Sequence, residues 1–186
     1  MKKESEDRVE RELKFVGVEL DALRQRLIEL EADRRWPGSL EDNWMFDRAG
    51  ELASADCTLR LRKDTRGAWI TFKGPVAFEG QTKVRVEHES EISDPVEMRR
   101  LIESLGYRVT RRYQKIREQW QLGGVAIALD HTPIGDFAEF EGDAAEALAR
   151  RFGFNPERAE RRSYLKLYDD YLAEHPEAPP DMVFPD

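Results

Sequence analysis

Val9-Glu10-Arg11-Glu12-Leu13-Lys14-Phe15 is the stretch that decides the fold. Side chains along a β-strand alternate between two faces. Glu10, Glu12 and Lys14 therefore share one face, and Val9, Leu13 and Phe15 share the other. Two carboxylates and an ammonium do not make an ordinary core, and the apolar face does not make an ordinary surface. A sheet closed on itself reconciles the two, with a charged lumen and an exterior covered by other elements.

The same alternation recurs downstream. From Thr58 to Arg62, Leu59 and Leu61 alternate with Arg60 and Arg62. From Thr82 to Ile92, Lys83, Arg85, Glu87, Glu89 and Glu91 alternate with positions that include Val84 and Val86. Further strands are predicted over Asn43–Asp47, Ala68–Lys73, Arg108–Gln121, Val125–Asp130 and Phe137–Glu141, with Gly123-Gly124 as a hairpin turn. With residues 9–16 these make eight strands, enough to close a small barrel.

Helices are predicted between and after them. Leu20, Leu23, Leu27, Leu30 and Ala32 give one over 19–35, stopped by Trp36-Pro37-Gly38. Asp94-Pro95 opens a second through Met98, Leu101, Ile102 and Leu105 to Gly106. Two more are expected over 143–152 and 156–173, the last carrying Tyr164, Leu165, Tyr168, Tyr171 and Leu172. The predicted class is α+β: a closed eight-stranded antiparallel β-barrel, a tunnel with a charged lumen and helices packed outside. One domain over 8–173 is expected, with loosely ordered termini at 1–7 and at 174–186, where proline and acidic residues are frequent.

Composition limits the function. Charged residues make up 37% of the 186, against roughly 25% in ordinary soluble domains, so charge must either coat the surface or line something. The net charge of −8 argues against a general nucleic-acid binder while leaving room for a local basic pocket. The single cysteine, Cys57, forms no disulfide framework or cysteine zinc site within the chain. His88, His131 and His175 form no ligand cluster. No apolar run approaches the roughly 18 residues of a membrane span, and the charged N-terminus lacks a signal region, so the expected location is cytoplasmic with no membrane partner.

The acids available to one lumen are Glu10, Glu12, Glu87, Glu89, Asp130, Glu139 and Glu141. The bases are Lys14, Arg60, Arg62, Lys73, Lys83, Arg85, Lys115 and Arg117. Enclosed charges are tolerated only when paired or bound to an ion. Arginine grips phosphate oxygens in pairs and lysine binds them as a point charge. Clustered carboxylates are hard oxygen ligands suited to Mg²⁺ or Mn²⁺. Cations with a divalent metal are the equipment of phosphoryl chemistry, so the residues point to a metal-dependent polyphosphate site. Each short motif alone matches solvated amphipathic strands freely; the weight lies in the set.

Over most of its length the chain resembles the CYTH domain proteins of the triphosphate tunnel metalloenzyme superfamily. The resemblance rests on an ordered set: Glu10-Arg11-Glu12-Leu13-Lys14, Leu59-Arg60-Leu61-Arg62, Thr71-Phe72-Lys73-Gly74-Pro75, Arg85-Val86-Glu87-His88-Glu89 and Lys115-Ile116-Arg117. Asp130, Gly135, Phe137, Glu139-Phe140-Glu141 and Ser163-Tyr164 continue it. It implies divalent ions held by Glu10, Glu12, Glu139 and Glu141 with Asp130. It implies triphosphate held by Lys14, Arg60, Arg62, Lys73, Arg85, Lys115 and Arg117, with Glu87 and Glu89 in a supporting charge network. Glu10, Glu12 and Lys14 are the residues implied in catalysis. Lys14 has two open roles: orienting or deprotonating the attacking water, or binding phosphate alone. The partner implied is a triphosphate-containing small molecule, and similar proteins are commonly homodimers.

Similar proteins hydrolyse inorganic, thiamine or nucleoside triphosphates, and others are class IV adenylate cyclases. Both chemistries use the same lining. Cyclases of this kind carry His-Phe six residues before the first signature glutamate, where this chain has Glu4-Ser5. The expectation is a triphosphatase, with a cyclase and a non-catalytic nucleotide or polyphosphate binder as alternatives.

Overall fold

The computed structural model describes residues 9–185; the expectations for residues 1–7, Glu4-Ser5 included, lie outside that range. Nine strands form one antiparallel sheet: β1 (Val9–Val16), β2 (Asp33–Asp47), β3 (Thr58–Asp64), β4 (Gly67–Lys73), β5 (Ala77–Glu79), β6 (Thr82–Ile92), β7 (Arg108–Leu122), β8 (Val125–Thr132) and β9 (Gly135–Glu141). Their order is β1-β9-β8-β7-β2-β3-β4-β6-β5, and β1 also pairs with β6. That pairing closes an eight-stranded barrel. β5 is outside the count because it continues β4: β6 pairs with β4 through residues 87–92 and with β5 through residues 82–84, across the Gly74-Pro75 bend.

Five α-helices accompany the barrel: α1 (Leu20–Glu29), α2 (Glu51–Ser54), α3 (Pro95–Ser104), α4 (Ala145–Arg151) and α5 (Tyr164–Glu174). α1 and α4 cover one side, where Leu13 and Phe15 of β1 join Leu23, Leu27, Ile127, Phe140 and Leu148 in the largest apolar cluster. Phe15 stacks on Phe154 at 4.6 Å between ring centroids. α3, capped by the Asp94 carboxylate, places Ile102 against Phe46 and Leu61 on another side. α5 lies by one end of the barrel, where Tyr164 and Tyr168 pack with Tyr113, Phe137 and Met182.

Three expectations need correction. The helix predicted over 19–35 ends at Glu29, and Trp36-Pro37-Gly38 lies inside the 15-residue strand β2. Proline lacks an N–H and forces the residue before it toward extended backbone. β2 absorbs the defect as register shifts between Arg34 and Trp36 and between Trp36 and Ser39. The helix predicted over 156–173 is broken into a 3₁₀ turn, Pro156–Arg158, and α5. Between them the chain reaches β1: the Glu160 N–H donates to the Lys14 carbonyl at 2.7 Å. Ser163 then caps α5 through the Lys166 N–H. The segment after His175, expected to be loose, runs back to β7. Met182 is fully buried, accepts from the Gln114 N–H at 2.7 Å and donates to the Arg112 carbonyl.

Candidate functional site

The lumen is a cavity of about 460 Å³. Of the fourteen residues expected in the site, all but Asp130 line it, and Asp130 stands directly behind the wall. Ten cationic side chains and six carboxylates form the lining, a positive surplus inside a chain of net charge −8. Even with the buried Asp130 and Glu41 behind it, the enclosed balance favours an anion.

β1 and β9 build an acidic wall. Glu12 faces Glu141 across the strand pair, and Lys14 faces Glu139. The Lys14 Nζ lies 3.4 Å from Glu139 and 3.6 Å from Glu12, donates to the Arg162 carbonyl at 3.2 Å and sits 4.3 Å from the centre of the Tyr164 ring. Burial alone would lower the pKa of Lys14, but Glu12 and Glu139 outweigh it and raise it. The lysine is a held cation.

β7 and β8 supply the next wall. Asp130 is fully buried and takes donors from three groups: Arg117 at 2.7 Å, Lys115 at 3.1 Å and the Tyr164 hydroxyl at 2.6 Å. Arg117 also bonds Glu139. Burial would push the carboxyls of Asp130 and Glu139 up; Arg117 and Lys115 more than reverse it and hold both down. Asp130 therefore fixes the positions of two phosphate-binding candidates.

The remaining walls come from β3, β4 and β6. Arg60 and Arg62 lie 3.7 and 3.4 Å from Glu89, which also accepts from Thr71 at 2.8 Å. Lys73 bridges Glu10 at 2.6 Å and Glu87 at 2.9 Å. Arg85 differs from its expected role: its guanidinium donates to the carbonyls of Gly74, Lys73 and Asp56. It secures the bend that carries Lys73.

Several lining or supporting residues were not anticipated. Glu41 on β2 is fully buried, with Arg62 and Arg66 at 3.7 Å and Lys115 at 3.8 Å. Among the described residues neither Glu41 oxygen has a hydrogen-bond partner. Reading β2 upstream of Asn43 as strand places Glu41 on the face shared by Asn43 and Met45, which is the signal that was missed. Tyr113, which accepts from Arg60 at 3.2 Å, shares the face of Lys115 and Arg117 on β7 by the same alternation.

Among the described residues, no group of three or more His, Cys, Asp or Glu side chains is arranged to hold a metal ion. Glu10, Glu12, Glu87, Glu89, Asp130 and Glu139 are drawn instead toward cations. The donor chemistry nonetheless fits a divalent ion: Glu12, Glu139 and Glu141 are hard oxygen ligands on adjacent strands. Glu12 lies 3.6 Å from the Lys14 Nζ, a longer contact than Glu10 makes with Lys73.

The CYTH domain profile matches residues 8–164. The chain belongs to the CYTH family. Several relatives share its form. A candidate adenylate cyclase of Methanocaldococcus jannaschii is 25% identical over 130 residues, covering 63% of this CYTH protein and 74% of the relative. The structure of a candidate adenylate cyclase from Vibrio parahaemolyticus matches with a TM-score of 0.78 and 25% identity, covering 88% of this chain and 99% of that one. A Pyrococcus horikoshii OT3 protein gives 0.72 and 27% over 87% and 99%. A Hippeastrum protein described as a candidate adenylyl cyclase with dominant triphosphatase activity shares the fold, at a TM-score of 0.66 and 18% identity over 87% and 96%. CYTH enzymes act on triphosphates and in general depend on metal. Among the described residues of this CYTH protein, no helix is long and apolar enough to cross a membrane.

Proposed function

We propose that this CYTH protein hydrolyses the terminal phosphoanhydride of a triphosphate substrate inside the tunnel, with Mg²⁺ or Mn²⁺. The observation that carries the reading is the division of the lumen: a wall of Glu12, Glu139 and Glu141 faces a positive surplus from the other strands. Glu12, Glu139 and Glu141 would hold the ion. Glu10 and Asp130, included in the expected ligand set, bond Lys73 and Arg117 with Lys115, as Glu139 bonds Arg117, and all three pairs position those cations. When bound, the ion supplies charge neutralisation at the phosphoryl oxygens and acidifies water.

The chain's own contribution is placement and electrostatics. Arg60, Arg62, Lys73, Lys115 and Arg117 bind the phosphate oxygens. Lys14 binds there too and stabilises the charge that builds up as water adds to the terminal phosphorus. The bridging P–O bond breaks, orthophosphate forms, and the remaining phosphates leave with the bridging oxygen.

A cyclase is the second reading, favoured by the names of the Methanocaldococcus and Vibrio relatives. The absence of a His-Phe pair at Glu4-Ser5 argues against it. Phosphorus NMR of products from ATP and inorganic triphosphate, with each metal, separates the readings. Orthophosphate is expected. Cyclic AMP with pyrophosphate would establish the cyclase. Tight binding of both substrates without any product would leave a non-catalytic binder.

A further inference from the structure

Tyr164 opens α5, yet its side chain is buried and lines the lumen together with Lys14 and Lys115. The centre of its ring lies 4.3 Å from the Lys14 Nζ and 4.9 Å from the Lys115 Nζ. The two lysines come from β1 and β7, and β9 and β8 lie between these strands in the sheet. One ring, supplied from outside the barrel, therefore serves both ammonium groups. The ring is itself fixed. Its hydroxyl donates to Asp130 at 2.6 Å, and Phe137 meets it edge to face at 4.9 Å between centroids. The chain just before it grips Lys14 as well. The Arg162 carbonyl accepts from the Lys14 Nζ at 3.2 Å, and the Glu160 N–H donates to the Lys14 carbonyl at 2.7 Å.

Most of the lumen cations are held by carboxylates. A carboxylate steadies a cation by neutralising it, so it competes with an incoming phosphate for the same charge. An aromatic face attracts an ammonium through its quadrupole and leaves the positive charge in place, and the attraction grows where water is excluded. Lys14 and Lys115 are both buried. The ring thus seats two lysines without weakening their pull on an anion. A tyrosine that only packed α5 against the barrel would need neither lysine. Tyr168 is such a residue: it belongs to the same cluster, but its hydroxyl goes to the Pro179 carbonyl and its side chain is outside the lumen lining.

We propose that Tyr164 is a positioning residue for the phosphates of the substrate, its ring holding Lys14 and Lys115 as one cationic pair across the strands that divide them. The proposal rests on the triphosphate reading above.

The test reads lysine ε-methylene NMR signals, calorimetric binding of inorganic triphosphate, and turnover. It uses the full chain and Tyr164→Leu, Tyr164→Phe and Tyr168→Leu. In the parent, ring current should place the Lys14 and Lys115 ε-methylene protons upfield of those of the exposed Lys166. Both signals at the Lys166 position would overturn the proposal, and this measurement needs no variant to fold. Tyr164→Leu should move both signals toward that position and weaken triphosphate binding about tenfold, the combined size of two cation–aromatic contacts. Tyr164→Phe keeps the ring and should bind within about threefold of the parent. Tyr168→Leu loosens the same cluster and should bind as the parent does while unfolding at lower urea. Equal losses in Tyr164→Leu and Tyr164→Phe would place the effect in the hydroxyl and overturn the proposal. Equal losses in Tyr164→Leu and Tyr168→Leu would do the same, by making the effect one of packing. Binding without turnover in the parent defeats the hydrolase reading alone, and a parent that binds no triphosphate defeats both.

Discussion

The Lys73 ammonium lies 2.6 Å from both carboxylate oxygens of Glu10, although their strands do not touch. β6 separates β4 from β1, so the ion pair spans the inner surface of the barrel and fixes a phosphate-binding candidate against the acidic wall. Removing one member of a buried pair strands the other charge. Lys73→Met leaves Glu10 and Glu87 uncompensated and should cost about 3 kcal/mol in urea unfolding. Adding Glu10→Gln should recover part of the loss. A single variant as stable as the parent would show that this pair does not hold the wall.

The acid limb of stability should report Glu139, Asp130 and Glu87. All three carboxyls are held below their ordinary values of 4.5, 3.8 and 4.5, because Arg117, Lys115 or Lys73 outweigh burial. A carboxyl with a lower pKa folded than unfolded stabilises fully above the unfolded value. That contribution disappears as pH falls through the folded one. Unfolding midpoints should therefore hold steady above about pH 4.5 and drop below it. Glu139→Gln should make that drop shallower, and identical acid slopes for variant and parent would contradict the assignment.

Glu41 competes with substrate for the cations it touches. Arg62, Arg66 and Lys115 all lie within 3.8 Å of it, and a bound phosphate would draw on the same charges. Glu41→Gln should lower folding stability, since Arg62, Arg66 and Lys115 each lose one of their neighbouring carboxylates and keep Glu89, Asp64 and Asp130, yet tighten binding of inorganic triphosphate severalfold in calorimetry. Weaker binding would mean that Glu41 chiefly aligns the cations.

The C-terminal segment is tied to the barrel through Asp181, Met182 and Phe184, and to α5 through the Tyr168 hydroxyl. Met182 is fully buried against Tyr113 and Tyr168, and its backbone bonds to β7 on both sides. Met182→Ala should cost about 2–5 kcal/mol, the range for emptying a packed apolar site. A change too small to measure by chemical unfolding would place the segment outside the cooperative core.

What the sequence disclosed follows from where period two was clean. Thr82–Ile92 alternates without interruption and was bounded correctly at both ends. β1 and β3 carried the lumen charges on one face for the same reason. β2 was half hidden because Pro37-Gly38 reads as a terminator, and only pairing with β7 reveals it as a bulge. Glu41 was lost with that half. The break before α5 was written in the Ser163 cap, but the Tyr164–Leu172 periodicity drew the helix too far upstream. Met182 stands alone among prolines and acids, and no local pattern distinguishes a buried methionine from an exposed one there. The lumen list survived because charge on an alternate face needs no knowledge of partners; Arg85's actual partners are backbone carbonyls, which no side-chain pattern encodes.

The pairing of β1 with β6 and β9 also sets a timetable. Residues 9–16 find their neighbours at 83–86 and 137–141, far along the chain. Contacts this distant in sequence form slowly, because a long loop must close before any of them is rewarded. During synthesis the first strand waits, unpaired along one edge, until the ninth has emerged. The carboxylates of Glu12 and Glu141 meet only at that moment, so the acidic wall exists in the finished barrel and in no shorter nascent chain.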